Sequence, residues 1–278
     1  MKDSWTSVLR TARAQARKAC ARNLCLAQRI HYVQLCLLAK VWYLAQIFPP
    51  THAHAQQLTT ICSWFIWQGA TFRVPMTTLQ RPKHEGGWDF PNIEIKCKAF
   101  LYNRIQMLGA REGSVMSELM RAWNFAGAPT NPPYANRFSS KLTYEYLRQY
   151  ITDMSYVSPY ATDETKKKFK QRLYEVLLRL ASTPSAIRIV RKFPGTSWEC
   201  VWKNLHASLV SDTIKPTWYT TIHGIIPTND RLATINLNAT SACSKCVHTN
   251  PLQHRITECG EGPIKWNWAR KKLRIMLE

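Results

Sequence analysis

The sequence predicts a mainly α-helical protein with a small cysteine-containing module near its C-terminus. Through most of the chain, apolar residues recur at steps of three and four, which places them on one face of a helix. Hydrophobic residues make up 45% and aromatic residues 11% of the 278 residues. This composition supports a packed core and is too apolar for a disordered chain.

The N-terminal helices are predicted from apolar spacing. The pattern covers residues 5–48, and Pro49-Pro50 ends it because proline cannot continue a helix. Its apolar face comprises Ile30, Val33, Leu37, Val41 and Leu44. A second helix is predicted over residues 55–67, and Gly69 can end it by adopting a left-handed conformation.

The helical pattern stops for a time after this second helix. Residues 71–74 are predicted to form a short strand, and Gly86-Gly87 indicates a turn. Further helices are predicted over residues 95–108, 163–181 and 198–209, with Ser197 as a cap for the last of them.

Composition divides the chain into three regions. Residues 1–125 are predicted to form a helical domain, and residues 163–278 a second helical domain that contains the cysteine module at residues 243–259. Between them, residues 126–162 are rich in proline, serine, threonine and asparagine. We interpret them as a connecting region with one short helix near residues 141–150.

The chain is strongly basic, with 38 Lys and Arg against 17 Asp and Glu and a net charge of +21. Such a surface attracts polyanions, and nucleic acid is the favoured one because phosphate binding releases counterions. A solvated basic surface without a partner is the alternative. Four residues of the first predicted helix follow one helical period and are predicted phosphate contacts: Arg10, Arg13, Arg17 and Lys18.

Nine cysteines, most of them scattered through helical patterns, do not resemble a disulfide framework. We therefore expect an intracellular protein of a reducing compartment, nuclear or cytoplasmic. The first 30 residues have no apolar core of a secretory signal, although their Arg-rich composition leaves mitochondrial targeting as an alternative. Residues 30–48 are the most apolar stretch, but polar side chains interrupt it, so no membrane span is expected.

The sharpest motif is Cys243, Cys246, His254 and Cys259, with the spacing C-x2-C-x7-H-x4-C. Three thiolates and one imidazole form a closed tetrahedral set, which predicts one structural Zn²⁺ ion rather than a catalytic one. His248 could replace His254, although it lies only two residues after Cys246.

A basic segment follows the module, with Arg270, Lys271 and Lys272 close to Trp266 and Trp268. Basic groups beside aromatic rings favour phosphate contact with base stacking. An amphipathic helix that buries the tryptophans is the alternative.

The 278 residues contain no recognisable catalytic motif. The acidic residues are scattered, and there is no phosphate-binding glycine loop, no G-x-S-x-G and no H-E-x-x-H.

Two stretches of the chain carry short sequence blocks in a distinctive order. The blocks of the first stretch are LAKVWYLAQ (38–46), PP (49–50), FIWQG (65–69), RV (73–74), LQRPK (79–83), EGG (85–87) and PNI (91–93). The blocks of the second stretch are W (218), HG (223–224), IPT (226–228), DRL (230–232) and the cysteine–histidine motif. The first stretch resembles the thumb, the helical element after the palm, of LINE-type (non-LTR) retrotransposon reverse transcriptases, and the second resembles their zinc-binding C-terminal module. Together they cover about half of the chain in the family's order.

The resemblance implies a thumb-like helical bundle, a helical region and a Cys3His zinc module. It also implies that Arg73, Arg81 and Lys83 lie near the nucleic-acid path. Trp88 departs from the small apolar residue that the family often has after its double glycine. More importantly, no stretch resembles the fingers or the palm with its paired aspartates, so polymerase activity is not carried over.

The sequence therefore favours a non-catalytic fragment that binds RNA or an RNA–DNA duplex. Two alternatives stay open. The chain could be a subunit that complements a separate reverse-transcriptase palm, in which case its partner is the rest of such an enzyme. It could also be a zinc-stabilised protein-interaction module or an inactive transposon relic, in which case its charge has no partner.

Overall fold

The computed structural model describes residues 2–70, 73–109, 166–181, 188–207, 211–226, 228–235 and 240–246, together with 248–249, 251, 253–254, 258–260, 263–264 and 267. Its α-helices are α1 (Lys2–Cys20), α2 (Leu26–Tyr32), α3 (Ala39–Ala45), α4 (His52–Trp67), α5 (Met76–Leu79), α6 (Ile93–Gly109), α7 (Lys166–Ala181), α8 (Arg188–Lys192), α9 (Trp198–His206), α10 (Lys215–Ile222) and α11 (Asn229–Ile235). The protein is mainly helical, as predicted. Among the described helices, none is both long enough and apolar enough to cross a membrane.

The first core is formed by α1 to α4. The buried residues of α1 recur at helical steps and include Trp5, Leu9 and Ala16, all at most 6% exposed. Alanines on this face let α1 approach α4 closely, where Phe65 and Ile66 are fully buried. The helix predicted over residues 55–67 is therefore confirmed.

The helix predicted over residues 5–48 is interrupted twice. The helical path is first broken between α1 and α2. Arg29 of α2 stabilises this break by donating hydrogen bonds to the carbonyl of Leu24, just before α2, and to that of Ile66 in α4. A π-helical turn (Val33–Leu37) then separates α2 from α3, with the Leu38 N–H bonded to the Val33 carbonyl at 2.9 Å. The extra residue of a π turn shifts the helical register, and both Leu37 and Leu38 are buried here.

The strand predicted over residues 71–74 is wrong for Arg73 and Val74, which lie in irregular structure, while Thr71 and Phe72 are outside the described residues. Val74 is 1% exposed and packs into the first core, and the next residue, Pro75, caps α5. The β-branched side chain that suggested a strand is thus buried by a helical bundle, with no neighbouring strand in the described ranges.

The predicted Gly86-Gly87 turn is confirmed. Gly86 has φ +86°, a conformation that other residues rarely adopt. At Gly87, a Cβ atom would lie 1.9 Å from the carbonyl oxygen of Arg81. After this close approach, the N–H groups of Trp88 and Phe90 both bond to the Leu79 carbonyl, at 3.0 Å each.

A second core lies between α6 and α7. Leu173 and Leu177 of α7 pack with Tyr102 and Ile105 of α6, so the predicted apolar stripe of the helix at residues 163–181 is confirmed for its described part. The Tyr174 hydroxyl accepts a hydrogen bond of 2.9 Å from the backbone N–H just before α6.

The helices α9 and α10 join the first core through Trp202, Leu205 and Tyr219. Ser197 occupies the N-cap position of α9, as predicted, but its side chain makes no capping hydrogen bond. The predicted domain boundaries at 125/126 and 162/163, the connecting region and its short helix all lie outside the described residues. The three-domain division therefore stays a prediction.

Candidate metal centre and basic surface

A tight hairpin positions the first two cysteines of the motif. Ala242 pairs with Thr249 in an antiparallel bridge, and the Cys243 N–H bonds to the His248 carbonyl at 2.9 Å. The first residue of α11, Asn229, fixes the base of the hairpin by donating a hydrogen bond of 2.6 Å to the Ala242 carbonyl. Cys243 and Cys246 therefore leave the same turn with their sulfurs on one side.

The second pair of ligands closes the site. The Cys259 N–H bonds to the His254 carbonyl at 2.7 Å, and both side chains are buried, at 8% and 5% exposed. The sulfurs of Cys243 and Cys259 are 3.8 Å apart, and the Cys246 sulfur lies 3.1 Å from His254 Nε2. All four ligand atoms lie within 4.8 Å of one another.

These separations are those of metal ligands rather than of bonded cysteines. A disulfide would bring two sulfurs to about 2.05 Å. Two thiolates on one tetrahedral zinc, each at about 2.3 Å, lie roughly 3.8 Å apart. The cluster of Cys243, Cys246, His254 and Cys259 could therefore hold a metal ion, as the spacing of the motif predicts.

The electrostatics of the cluster favour a cation. Hydrogen bonds from the Lys245 backbone and the His254 ring lower the pKa of the Cys243 thiol to about 6 because they stabilise the thiolate. Burial and the neighbouring Cys243 raise the pKa of Cys246. A metal ion between the sulfurs would offset this repulsion and let all three thiols ionise.

A carboxylate lies near the other ring nitrogen of His254. Glu258 lies 3.6 Å from His254 Nδ1 and accepts a hydrogen bond of 3.0 Å from Gln253. The first distance is longer than a hydrogen bond, so the carboxylate acts on the ring through its charge alone. The alternative ligand His248 is exposed, and its ring centre lies 6.1 Å from that of His254. His248 contributes the backbone carbonyl that binds the Cys243 N–H, and its ring is not part of the cluster.

The predicted basic stripe lies on the solvent face of α1. Arg10, Arg13, Arg17 and Lys18 are all exposed, and no acidic side chain of the described residues pairs with them. Only one acid, Asp3, precedes Glu85, so residues 4–84 contain ten basic residues and no acidic ones. The field over the solvent face of α1 is therefore positive.

The other predicted contacts are more scattered. Arg73 is exposed and Arg81 is half-buried beside the Gly-Gly turn. Lys83 is exposed and lies 4.0 Å from the Asp89 carboxylate, so part of its charge is balanced. The predicted contacts Arg270, Lys271 and Lys272 lie outside the described residues, as do Trp266 and Trp268.

A cluster of half-buried histidines and buried aromatic rings was not predicted from the sequence. His223 stacks on Trp202 with ring centres 5.5 Å apart, and His206 meets the edge of Trp88 at 4.7 Å. Each histidine has a buried ring nitrogen without a hydrogen-bond partner. The pKa of His223 is lowered to about 4, chiefly by burial, and burial also lowers that of His206.

These histidines predict a loss of stability in acid. Above the unfolded pKa of about 6.5, His223 is neutral in both states and its packing contributes fully. As the pH falls from about 6.5 to about 4, the unfolded chain binds a proton that the folded chain excludes. We expect the free energy of unfolding to drop by on the order of 2 kcal/mol between pH 7 and pH 5.

Thermal melts followed by helical circular dichroism at both pH values measure this drop. His223→Phe should make the melting temperature less sensitive to pH, whereas replacing the exposed His31 with glutamine should leave the sensitivity unchanged. An equal pH response in the two variants would show that His223 is not the titrating group.

The chain matches no protein-family model, and no curated protein sequence matches it either. A proposal about function therefore depends on the residues described above.

Proposed function

We propose that this chain binds nucleic acid without catalysing a reaction and is related to the thumb and C-terminal module of LINE-type reverse transcriptases. One observation carries the proposal: residues 4–84 hold ten basic residues and no acidic ones. The helices of this segment pack into one core, which holds the exposed charges of α1 on a fixed surface. Uncompensated charge costs stability through self-repulsion, and a phosphate chain offsets that cost.

The partner that suits this surface is structured RNA or an RNA–DNA duplex. A helical stripe of long basic side chains can follow a phosphate backbone. Contacts of this kind do not distinguish one base from another. Helical RNA is bound mostly through its shape and backbone, because its deep major groove excludes side chains. We therefore expect affinity with little sequence preference.

The metal that suits the cysteine cluster is Zn²⁺. Thiolate and imidazole ligands in a tetrahedral set favour zinc over the harder divalent cations, which prefer oxygen. Four protein ligands leave no position for water, so the ion is structural. It would hold together a short module that otherwise has little core.

An equilibrium binding titration tests the proposed function. Fluorescent RNA hairpins of two unrelated sequences and a blunt RNA–DNA duplex are titrated with the full chain at 100 mM salt, with polyglutamate as a competitor. We expect similar affinities for all three probes and weak competition by polyglutamate, because carboxylates lack the charge density of a phosphate backbone. Absence of binding to every probe would overturn the proposal.

A further inference from the structure

An open groove runs between α1 and α4 on the basic surface. Its volume is about 550 Å³, and its lining includes Arg13 and Arg17 from α1 with Gln57, Thr60 and Trp64 from α4. No acidic residue lines it, and α4 carries no acidic residue along its whole length. The groove therefore combines positive charge, neutral polar groups and one aromatic ring.

The aromatic ring is Trp64, whose side chain is 40% exposed. The three residues that follow it, Phe65, Ile66 and Trp67, are all buried at 7% exposed or less. Trp64 lies one turn beyond Thr60 on the same helix face, and both residues line the groove. An indole in this position offers a surface on which a base can stack.

The two arginines complete the groove on the opposite helix. Arg13 and Arg17 are one helical turn apart, which separates them by about 6 Å along the axis of α1. Both are exposed, and neither has an ion-pair partner in the described part of the chain. Their guanidinium groups are therefore available for phosphate oxygens, to which arginine binds in a bidentate fashion.

We propose that this groove is a subsite for single-stranded nucleic acid. One base stacks on Trp64, the neighbouring phosphates bind Arg13 and Arg17, and the exposed Gln57 amide lies within the same groove for the edge of a base. The inference rests on the proposed function and adds a substrate class to it. A duplex cannot use the subsite, because its bases are stacked on one another inside the helix.

Binding of a fluorescent twelve-residue oligouridine to the full chain tests the subsite. Trp64→Ala should weaken binding about 5- to 150-fold, the range expected for loss of one base–aromatic stack. Trp64→Phe should keep most of the affinity because a ring remains. The matched control is Trp218→Ala, which removes a tryptophan of similar exposure, 46%, from α10 outside the groove and should leave binding unchanged.

A second comparison needs no substitution. The unchanged chain should bind oligouridine at least about 5-fold more tightly than an abasic strand of equal length, because an abasic strand keeps the phosphates and loses the stack. Equal affinity for the two strands would overturn the subsite, as would equal losses in Trp64→Ala and Trp218→Ala. Oligothymidine in parallel shows whether the subsite also takes DNA, and binding of either strand supports it.

The hairpin RNA titration separates the two proposals. If the hairpin binds while Trp64→Ala leaves oligouridine binding intact, the subsite is wrong and the proposed function stands. If no nucleic acid binds at all, both are wrong.

Discussion

Replacing Cys259 with serine is expected to release the metal ion from the C-terminal module. Cys259 is the most buried of the three cysteines in the cluster, and its sulfur lies 3.8 Å from that of Cys243. Serine keeps the size of the side chain but is a poor ligand for zinc at neutral pH, which binds thiolates. In zinc-finger peptides the metal contributes about 10–16 kcal/mol to folding, so the module should lose its order with the metal.

Bound zinc per chain, measured by mass spectrometry after dialysis, gives the direct readout. We expect one zinc per unchanged chain and an affinity at least about 100-fold lower in Cys259→Ser, since changes outside the ligand shell alone cost 10- to 100-fold. Cys36→Ser is the matched control, because Cys36 is exposed and lies far along the chain from the cluster. Equal zinc content in the two variants would show that the four residues are not the ligands.

Neutralising the basic stripe of α1 is expected to have the next largest effect. The variant replaces Arg10, Arg13, Arg17 and Lys18 with glutamine, which keeps helix propensity and removes four exposed charges. If each side chain neutralises one phosphate, the dependence of log K on log salt should become shallower by roughly 3 to 4 units. Affinity for hairpin RNA at low salt should fall by several orders of magnitude.

A control with the same charge change shows whether position matters. Arg179, Arg191, Lys192 and Lys203 are exposed basic residues of α7, α8 and α9, outside the predicted contact set. Their replacement with glutamine should lower affinity only modestly through the net charge of the chain. Equal losses in the two quadruple variants would mean that the stripe of α1 is not the contact surface.

The helices and the cysteine–histidine cluster could be predicted from the sequence because both depend on local spacing. Apolar steps of three and four place Leu58, Phe65 and Leu173 on buried faces, and the structure buries all three. The C-x2-C turn brings Cys243 and Cys246 together through one hairpin, so their proximity is a local property. His254 was preferred over His248 on reach alone, and the structure agrees.

Features that depend on contacts between distant segments could not be predicted in this way. Val74 looked like part of a strand, since neither its burial by the bundle nor the cap at Pro75 is visible in a local pattern. The low pKa of His223 arises from burial, and the ring that stacks on it, Trp202, belongs to another helix. Trp64 could have been noticed, because it falls outside the apolar face of α4.

The salt dependence of binding tests most directly whether the partner is a phosphate chain. Hairpin RNA is titrated with the full, zinc-loaded chain at several salt concentrations, and log K is plotted against log salt. A contact with 6 to 10 phosphates predicts a steep negative slope and a loss of about 10³- to 10⁵-fold in affinity between 50 and 200 mM salt. A slope near zero, or no binding at the lowest salt, would contradict the account.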